Sequence, residues 1–327
     1  MKVAVYYNNS DIRVEEREKP VPKDNELLVK VHSCGICGSD LVEWYRLPRA
    51  PLIPGHELGG EIAETGEIVT DFKAGDRVFV APKIGCGECR YCRKGHQSVC
   101  PNVKKRLDGA FAEFVLVPEE MVKKAVFRLS ESVSYDEATF IEPLACVYRA
   151  QKFAGVKKGD KVLIIGSGMS GILHIKLAIE KGANVTATDI NQYRLDFAKR
   201  CGATAVAGGE IEGKFDVVIL CAAALPAFET AWKSVDTGGT IILFTVPSPD
   251  KQVVVPVNDF WRKEVKIITS YYCGPDDLEE SMKLISSKKI GVEDMITHRL
   301  PLERIQEGYR LVAEAKDSLK VIIRPNE

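Results

Sequence analysis

A single loop of fifteen residues holds four of the chain's ten cysteines, Cys86, Cys89, Cys92 and Cys100. The residues between them are mostly polar or glycine, which suits a loop that curls round an ion better than a buried core. Four thiolates are the ligand set of a structural zinc site, and they leave no coordination position open for a substrate. We therefore predict a metal site that stabilises this loop and does no chemistry.

Two other metal-binding loops share part of this spacing. A ferredoxin-type iron–sulfur loop has the same C-x2-C-x2-C start and a proline after its last cysteine, but its fourth cysteine comes after three residues, whereas seven separate Cys92 from Cys100. A zinc ribbon that binds nucleic acid has its two C-x2-C pairs about 15–20 residues apart in a basic domain. Neither pattern fits as well as a four-thiolate zinc site.

A second set of residues has the composition of a metal site with an open position. Cys37 ends the segment "SCGIC", and His56 follows it by nineteen residues in "GHE", next to Glu57. A thiolate, an imidazole and a carboxylate are typical ligands of catalytic zinc, which keeps one position for water or substrate. Glu142 interrupts the apolar run "FIEPLA", where a buried carboxylate is costly unless it is paired or binds a metal. The residues alone also allow a salt bridge for Glu142, a hydrogen-bonded loop role for His56 and a core role for Cys34 and Cys37.

A glycine-rich turn follows the apolar run "KVLII". Gly166, Gly168 and Gly171 form a G-x-G-x-x-G pattern, in which Met169 and Ser170 occupy the positions before the last glycine. These glycines permit a tight turn and bring a pyrophosphate close to a helix N-terminus, whose free N–H groups attract the anion. We predict that these five residues contact a dinucleotide cofactor.

The cofactor's adenosine ribose has a predicted partner at the end of the next strand. Asp189 ends "NVTATD", eighteen residues after Gly171. A carboxylate at this place accepts hydrogen bonds from the ribose hydroxyls and repels a 2′-phosphate, which favours NAD over NADP. Arg194 is close enough in sequence to bind the cofactor and to allow some tolerance of NADP. The alternative is that Asp189 only caps the following helix.

The elements that position these residues fall into two kinds. Residues 1–130 contain short β-like runs broken by glycine, proline and aspartate, which predicts a compact, antiparallel β-rich domain. From about residue 144, apolar runs alternate with helical patterns, which predicts an α/β fold with a doubly wound parallel sheet of about six strands. Two amphipathic helical patterns and a strand follow at the C-terminal end.

Size and charge narrow the function further. The chain has 327 residues, enough for two domains, and a formal net charge of −1. This balance gives no reason to expect attraction to nucleic acid or to a membrane, and no stretch resembles a signal peptide or a membrane span. We expect a cytoplasmic protein with a small-molecule partner, whose clustered cysteines bind metal and do not form disulfides.

Taken together, "GICGSD", "PGHELGGEI", "GDRVFV", the four-cysteine loop, "IEPLA" and the glycine turn resemble the zinc-containing medium-chain alcohol dehydrogenase family, in its polyol (sorbitol) dehydrogenase-like branch. The resemblance covers essentially the whole chain. It implies a GroES-like catalytic domain with a structural zinc lobe at 1–143, a Rossmann NAD-binding domain at 144–276, and a segment at 277–327 that completes the catalytic domain. It also implies two zinc ions per chain, one catalytic and one structural.

The same resemblance assigns roles around the catalytic zinc. It implies that Cys37 and His56 bind the ion, that Glu142 is the third protein ligand, and that Glu57 either binds directly or alternates with it. Ser39 matches the hydroxyl that hydrogen-bonds the substrate oxygen and begins proton release, although it could instead cap the next helix. We expect Asp40 to orient the ring of His56.

One further relay residue of the family is missing. Many relatives carry a histidine three residues after the serine that matches Ser39, and this chain has Val42 there. Proton release therefore needs another route, through ribose hydroxyls, water or another base.

The expected activity is the interconversion of a secondary alcohol or polyol and its ketone, with hydride transfer to or from NAD. Trp44, Tyr45, Arg46 and Arg49 are candidate determinants of the substrate, and an inward-pointing arginine would favour a phosphorylated or acidic one. The alternative is that Trp44 packs in an apolar environment and the arginines are solvated. The alternatives are a dehydrogenase of a phosphorylated sugar alcohol or an amino alcohol such as threonine, and a zinc protein that binds NAD for regulation without turnover. Relatives are commonly homodimers or homotetramers, and we expect one of these states.

Overall fold

The computed structural model describes residues 1–103, 105–107, 109–208 and 211–327. Its strands are β1 (Lys2–Asn8), β2 (Asp11–Glu16), β3 (Leu27–Gly35), β4 (Glu57–Thr65), β5 (Arg77–Val80), β6 (Phe114–Val117), β7 (Val126–Arg128), β8 (Lys161–Ile165), β9 (Asn184–Asp189), β10 (Thr204–Ala207), β11 (Phe215–Leu220), β12 (Val235–Leu243), β13 (Lys266–Thr269), β14 (Ile296–Pro301) and β15 (Lys320–Arg324). Its α-helices are α1 (Glu43–Arg46), α2 (Arg90–Arg93), α3 (Glu119–Ala125), α4 (Tyr135–Ala138), α5 (Ile141–Ala154), α6 (Met169–Glu180), α7 (Gln192–Arg200), α8 (Leu225–Ser234), α9 (Val257–Lys263), α10 (Pro275–Ser286) and α11 (Ile305–Glu314). Short 3-10 helices lie at Gly38–Leu41, Leu47–Arg49, Gln97–Val99, Glu293–Met295 and Leu302–Arg304.

The chain divides into two compact units. The first contains Met1–Pro143 and Gly274–Glu327, and the second contains Leu144–Cys273. The last segment of the chain therefore belongs to the same unit as the first. In the described part of the chain, no helix is both long and apolar enough to cross a membrane.

The first unit is built on a seven-stranded, mostly antiparallel sheet. Its strands lie in the order β14-β15-β3-β4-β5-β7, and β6 also pairs with β3. In the long pairing of β3 with β4, Gly35 lies opposite Glu57. The chain leaves β3 just before Cys37 and enters β4 just after His56, so this register brings the two predicted ligand segments to one end of the sheet.

The second unit contains a six-stranded parallel sheet in the order β10-β9-β8-β11-β12-β13. Numbered within the sheet, this order is 3-2-1-4-5-6, the doubly wound arrangement that binds dinucleotides at the carboxyl ends of its strands. The central strands are almost wholly apolar and buried, as parallel strands covered on both faces must be. The α/β class and the six strands predicted from the sequence are confirmed.

The C-terminal segment contains one strand more than the sequence pattern predicted. The two amphipathic patterns form α10 and α11, and the last apolar run forms β15, while β14 pairs with β15 in parallel. The polar run "THR" interrupts the apolar alternation of β14. The structure explains its arginine, because Arg299 forms an ion pair within the unit.

That ion pair belongs to a network centred on Asp136 in α4. The carboxylate accepts hydrogen bonds from Ser33 Oγ at 2.6 Å, Arg299 Nε at 2.7 Å and Arg324 Nη2 at 2.7 Å. Burial alone would raise the pKa of Asp136, but the hydrogen bonds from Arg324, Ser33 and Arg299 outweigh it and lower the pKa. The network therefore ties the C-terminal segment to β3 and α4 through one ionised carboxylate.

We predict that Asp136→Asn lowers the unfolding free energy of the chain by about 2 kcal/mol at pH 7, because two guanidinium groups lose their carboxylate. A carboxyl whose pKa falls on folding stabilises the fold above its ordinary pKa of 3.8, and this contribution is lost as the pH falls through the folded value. The urea unfolding midpoints of the wild type and the variant should therefore differ clearly at pH 7 and much less at pH 3. Asp71→Asn, at an exposed position in the same unit, is the matched control. An equal loss at both pH values would contradict the electrostatic role.

Candidate active site and metal centres

The mixed ligand group is assembled at the end of the β3–β4 pair. One ligand atom each from Cys37, His56 and Glu57 lies within 4.8 Å of the others. Cys37 caps the 3-10 helix Gly38–Leu41, and its sulfur accepts a hydrogen bond from Ser39 N at 3.4 Å. The cap fixes the position of the Cys37 thiol at the N-terminus of the 3-10 helix.

The buried carboxylate of Asp40 orients this group. It accepts hydrogen bonds from Cys37 N at 3.1 Å and from Arg46 Nη2 at 2.6 Å, and its Oδ1 lies 3.5 Å from His56 Nδ1. The expected contact between Asp40 and His56 is therefore present. Burial lowers the pKa of His56, but Asp40 and Cys37 together outweigh it and raise the pKa well above the ordinary value. A ring held at Nδ1 by a carboxylate is more basic and presents Nε2 as a metal ligand.

The carboxylate of Glu57 has one satisfied oxygen and one unsatisfied oxygen. The residue is fully buried, and its Oε2 lies 2.5 Å from Lys320 Nζ, whose side chain is also fully buried. Its Oε1 is buried and has no hydrogen-bond partner among the described residues. An unsatisfied anionic oxygen beside a thiol and an imidazole is what a divalent cation would complete, so the residues present fit a catalytic zinc.

Ser39 lies beside the thiol of this group. Its hydroxyl donates a hydrogen bond to Cys37 Sγ at 3.3 Å. The alternative role as a helix cap is wrong, because Cys37 caps the 3-10 helix and Val42 precedes α1 as its N-cap residue. The hydroxyl is therefore placed where a substrate oxygen near the sulfur could use it.

Glu142 and Cys34 lie outside the three-residue group. Glu142 is buried near the start of α5, with 6% of its surface exposed, and its predicted role as a zinc ligand stays a prediction. Cys34 is a fully buried residue of β3, which fits the core role considered for it.

The four-cysteine loop has the geometry of a tetrahedral site. The four Sγ atoms lie within 4.8 Å of one another, with Cys86 and Cys92 3.9 Å apart and Cys89 and Cys100 3.8 Å apart. Four sulfurs at about 2.3 Å from a central zinc would be about 3.8 Å apart, so the loop fits the ion without rearrangement. Backbone N–H groups of Cys89 and Glu88 lower the pKa of Cys86 to about 6, which favours its thiolate, whereas burial raises the pKa of Cys92 to about 12.

The glycine turn of the second unit has the shape expected for a dinucleotide loop. Gly166 has a positive φ of 94°, and Gly168 is the N-cap of α6, whose first residues are Met169 and Ser170. A Cβ on Gly171 would lie 1.9 Å from the carbonyl oxygen of Gly166, so this position requires glycine. The turn and the helix N-terminus therefore pack as closely as pyrophosphate binding needs.

Asp189 lies beside this turn at the end of β9. Its carboxylate accepts hydrogen bonds from Ser167 N at 2.6 Å and Asn191 N at 2.9 Å. Asn191, and not Asp189, caps α7, so the capping alternative is wrong. Arg194 Nη1 lies 4.0 Å from Asp189 Oδ2, and the guanidinium is within 3.6 Å of the Cβ position of Gly168. Both predicted cofactor side chains therefore flank the turn.

The helical segment after Cys37 holds the residues considered as determinants of the substrate. Arg46 is 3% exposed and is held by Asp40 and by the carbonyl oxygen of Ser39, so it is unavailable to a substrate phosphate. The guanidinium of Arg49 lies 4.2 Å from the centre of the Tyr45 ring. Trp44 is half exposed, with 51% of its surface accessible.

Lys320 is the residue of this site that sequence reasoning missed. A signal was present, because a lysine in the apolar run "SLKVIIR" is as anomalous as the glutamate in "FIEPLA". The same argument about buried charge, applied to both, points to an internal partner for the lysine.

The two folded units and these two kinds of site define a class of protein, an oxidoreductase that uses a metal and a nicotinamide dinucleotide. Comparison with known families agrees. Residues 23–126 match the family described as alcohol dehydrogenase GroES-like domain, and residues 171–287 match the family described as zinc-binding dehydrogenase.

Two relatives that are similar over nearly the whole chain identify the family. An alcohol dehydrogenase of Geobacillus stearothermophilus is 32% identical over 99% of both chains. A sorbitol dehydrogenase of Bacillus subtilis (strain 168) is 31% identical over 100% of this chain and 98% of its own length. The chain therefore belongs to the zinc-containing medium-chain alcohol dehydrogenase family, in its polyol-dehydrogenase-like branch, and is an enzyme. The alternative of a regulatory zinc protein without turnover is wrong.

A solved structure gives the same result for the fold. A protein of Sinorhizobium meliloti 1021, described as a zinc-binding dehydrogenase and crystallised with NADP, has a TM-score of 0.87 to this chain, with 28% identity and 99% coverage of both chains. The similarity supports a nicotinamide dinucleotide cofactor in general.

Proposed function

We propose that this enzyme interconverts a polyol or other secondary alcohol and its ketone, with NAD as the hydride carrier and a zinc ion held at the mixed ligand group. The observation that carries the proposal is the unsatisfied, buried Oε1 of Glu57, within a group that also holds the Cys37 thiol and the His56 imidazole. A structural role for these residues would leave no reason for a buried anionic oxygen without a partner.

Each residue of the group has a distinct task. When bound, zinc supplies a Lewis acid that favours ionisation of the alcohol hydroxyl, and the nicotinamide accepts the hydride from the alcohol carbon. Cys37 and His56 would hold the ion, and Asp40, whose Oδ1 lies 3.5 Å from His56 Nδ1, would leave Nε2 as the nitrogen available to it. The hydroxyl of Ser39, beside Cys37 Sγ, would accept the alcohol's proton as it gives its own to a ribose hydroxyl of the cofactor, to water or to another base, because Val42 stands where many relatives have the relay histidine.

Two carboxylates are candidates for the remaining protein ligand. Glu57 belongs to the ligand group, which supports a direct and exchangeable contact with the ion. The role of Glu142 is supported by its burial and by the family resemblance. We propose that Glu57 alternates with Glu142 at the metal, which is one of the two arrangements that the family resemblance implies.

The second zinc is proposed for the four-cysteine loop. The near-tetrahedral sulfur distances support it, and the four ligands leave the ion no open position. Its task is to fold the loop, so the enzyme would hold two zinc ions per chain with separate functions.

NAD is proposed over NADP because of the carboxylate beside the glycine turn. Asp189 accepts a hydrogen bond from Ser167 N of the turn, and a carboxylate at the end of this strand opposes a 2′-phosphate through its negative charge. Arg194 lies next to Asp189 and to Gly168 of the turn, and its positive charge favours binding of the cofactor's anionic part. The NADP-bound structural relative makes this preference worth a direct measurement.

A polyol is favoured over a phosphorylated substrate by the fate of Arg46. This guanidinium is bound to Asp40, so one of the two arginines considered for a bidentate phosphate contact is already paired. The similarity to a sorbitol dehydrogenase supports the same choice.

We also propose that the enzyme is a homodimer or homotetramer, with β13 at a subunit contact. β13 is an edge strand of the parallel sheet, and Trp261 and Val254 nearby are 78% and 86% exposed. A second copy offers the same edge, so two sheets can pair about a two-fold axis and cover this apolar surface. A monomer in sedimentation equilibrium at micromolar concentration would contradict this.

The functional proposal predicts separate effects for the two metal sites. Elemental analysis should find two zinc ions per wild-type chain, and Cys37→Ser should lose one ion and at least about 100-fold of its NAD reduction on a panel of polyols and alcohols. Cys89→Ser should lose the other ion and lower the thermal midpoint. Cys201→Ser, in the second unit, is the control and should keep both ions and the activity. Turnover that survives Cys37→Ser would place the chemistry elsewhere.

The cofactor proposal predicts a change in preference for Asp189→Asn. Without the negative charge, the ratio of kcat/KM with NAD to kcat/KM with NADP should fall at least about tenfold. Asp196→Asn, on an exposed face of α7, should leave the ratio unchanged. An unchanged ratio in Asp189→Asn would mean that another group selects the cofactor.

A further inference from the structure

Two cysteines of the second unit lie together outside the four-cysteine loop and the mixed ligand group. Cys146 belongs to α5, Cys273 is the last residue of the unit, and their Sγ atoms are within 4.8 Å of each other. Cys273 is 2% exposed, whereas Cys146 is partly exposed. An oxidised cysteine forms a disulfide when a second thiol lies this close, so the pair has the arrangement of an oxidisable site.

Cys273 ends the short segment that follows β13. In the parallel sheet, β8, β9 and β10 form one half, and β11, β12 and β13 form the other. The glycine turn follows β8 and Asp189 ends β9, so the adenosine part of a dinucleotide would belong to the first half. The nicotinamide part would then belong to the carboxyl ends of β11 to β13, which is where residues 270–273 begin.

The backbone just before Cys273 is strained. Tyr272 has a φ of 59°, in the left-handed region that glycine favours and that a tyrosine rarely adopts. Such a conformation persists only while the surrounding contacts hold it. A new covalent bond at the next residue can therefore shift this segment more easily than it could shift a regular strand.

We propose that Cys146 and Cys273 form a reversible disulfide on oxidation by a peroxide, and that this disulfide weakens binding of the nicotinamide dinucleotide. The two sulfurs of a disulfide are about 2.05 Å apart, so Cys273 must move towards α5 and draw residues 270–273 with it. Formation of the bond goes beyond the proposed function, because it requires neither the zinc ions nor the alcohol. Only its effect on the cofactor rests on that function.

Oxidation by one hydrogen peroxide molecule balances in two steps. Cys146, the more exposed thiol, attacks a peroxide oxygen: an S–O bond forms, the O–O bond breaks, and a sulfenic acid and one water result. Cys273 then attacks the sulfenic sulfur: the S–S bond forms, the S–O bond breaks, and the hydroxyl leaves as a second water with the proton of Cys273. The two thiols lose two electrons in total, and a small thiol returns them by exchange.

The test uses the zinc-loaded, full-length enzyme and hydrogen peroxide. After a brief treatment, the remaining thiols are blocked with N-ethylmaleimide and the digested protein is mapped by mass spectrometry. We expect a linked peptide that joins Cys146 to Cys273, and its loss after dithiothreitol. The NADH dissociation constant, measured by fluorescence titration, should rise at least about fivefold in the oxidised enzyme and return after dithiothreitol.

Cys273→Ser separates this effect from damage at other cysteines. The variant keeps the thiols of both candidate metal sites, so peroxide damage at those sites would weaken its NADH binding as well. We expect peroxide to leave its NADH dissociation constant unchanged, and Cys146→Ala, which removes the other sulfur, should give the same result if Cys273→Ser does not fold. Cys201→Ser, at the C-cap of α7, is the matched control and should respond to peroxide as the wild type does.

Three results would overturn the proposal. The first is the absence of the linked peptide, with Cys146 oxidised only to its sulfinic acid or left unoxidised. The second is a linked enzyme whose NADH dissociation constant stays within about twofold of the reduced value. The third is an additional zinc ion that the wild type holds and Cys146→Ala loses, because the two thiols would then be metal ligands. Failure of the reduced wild type to bind NADH would instead contradict the proposed cofactor, while the linked peptide would still decide the disulfide.

Discussion

The pairing of β3 with β4 is the constraint on which the candidate active site depends. Because Gly35 lies opposite Glu57, the turn after β3 and the residue before β4 must meet at one end of the sheet. Cys37 and His56 thereby come together from positions nineteen residues apart in the sequence. A shift of one residue in this register would move each side chain of β4 to the other face of the sheet and would disperse the ligand group.

Buried charge at this end of the sheet is matched residue by residue. Asp40 is paired with the buried Arg46, and Glu57 is paired with the buried Lys320. Asp40 also contacts His56, a candidate metal ligand, through its Oδ1. The other oxygen of Glu57, Oε1, belongs to the candidate ligand group itself. Buried ion pairs of this kind contribute little net stability, so their main effect is to fix the positions of the ligand side chains.

The four-cysteine loop differs from this site, since its ionised ligands would all be thiolates that face one another and require a cation.

Much of this architecture could be predicted from the sequence because its signals are local. The glycine turn, the four-cysteine loop and the alternation of strands with helices each occupy a short stretch with a physical reason for every residue. The partners of buried charges could not be predicted in this way, because Lys320 and Glu57 are 263 residues apart. Arg46 shows the same limit: its nearness to the ligand segment made it a candidate for a substrate contact, whereas the 3-10 helix Gly38–Leu41 and α1 bring it back to Asp40. The strand β14 was missed for a related reason, since the partner of its polar Arg299 is Asp136 of α4, which is distant in the sequence.

The central claim is that one chain holds two metal ions with different coordination, and anomalous scattering at the zinc edge from crystals of the wild-type enzyme tests it most directly. The account predicts two peaks, one at the centre of the four sulfurs and one bound to Cys37 Sγ and His56 Nε2, with a Zn–S distance of about 2.3 Å in both. The second peak should have an open position or an exchangeable oxygen. A single peak at the four-cysteine loop, in crystals of a fully active enzyme, would contradict the account.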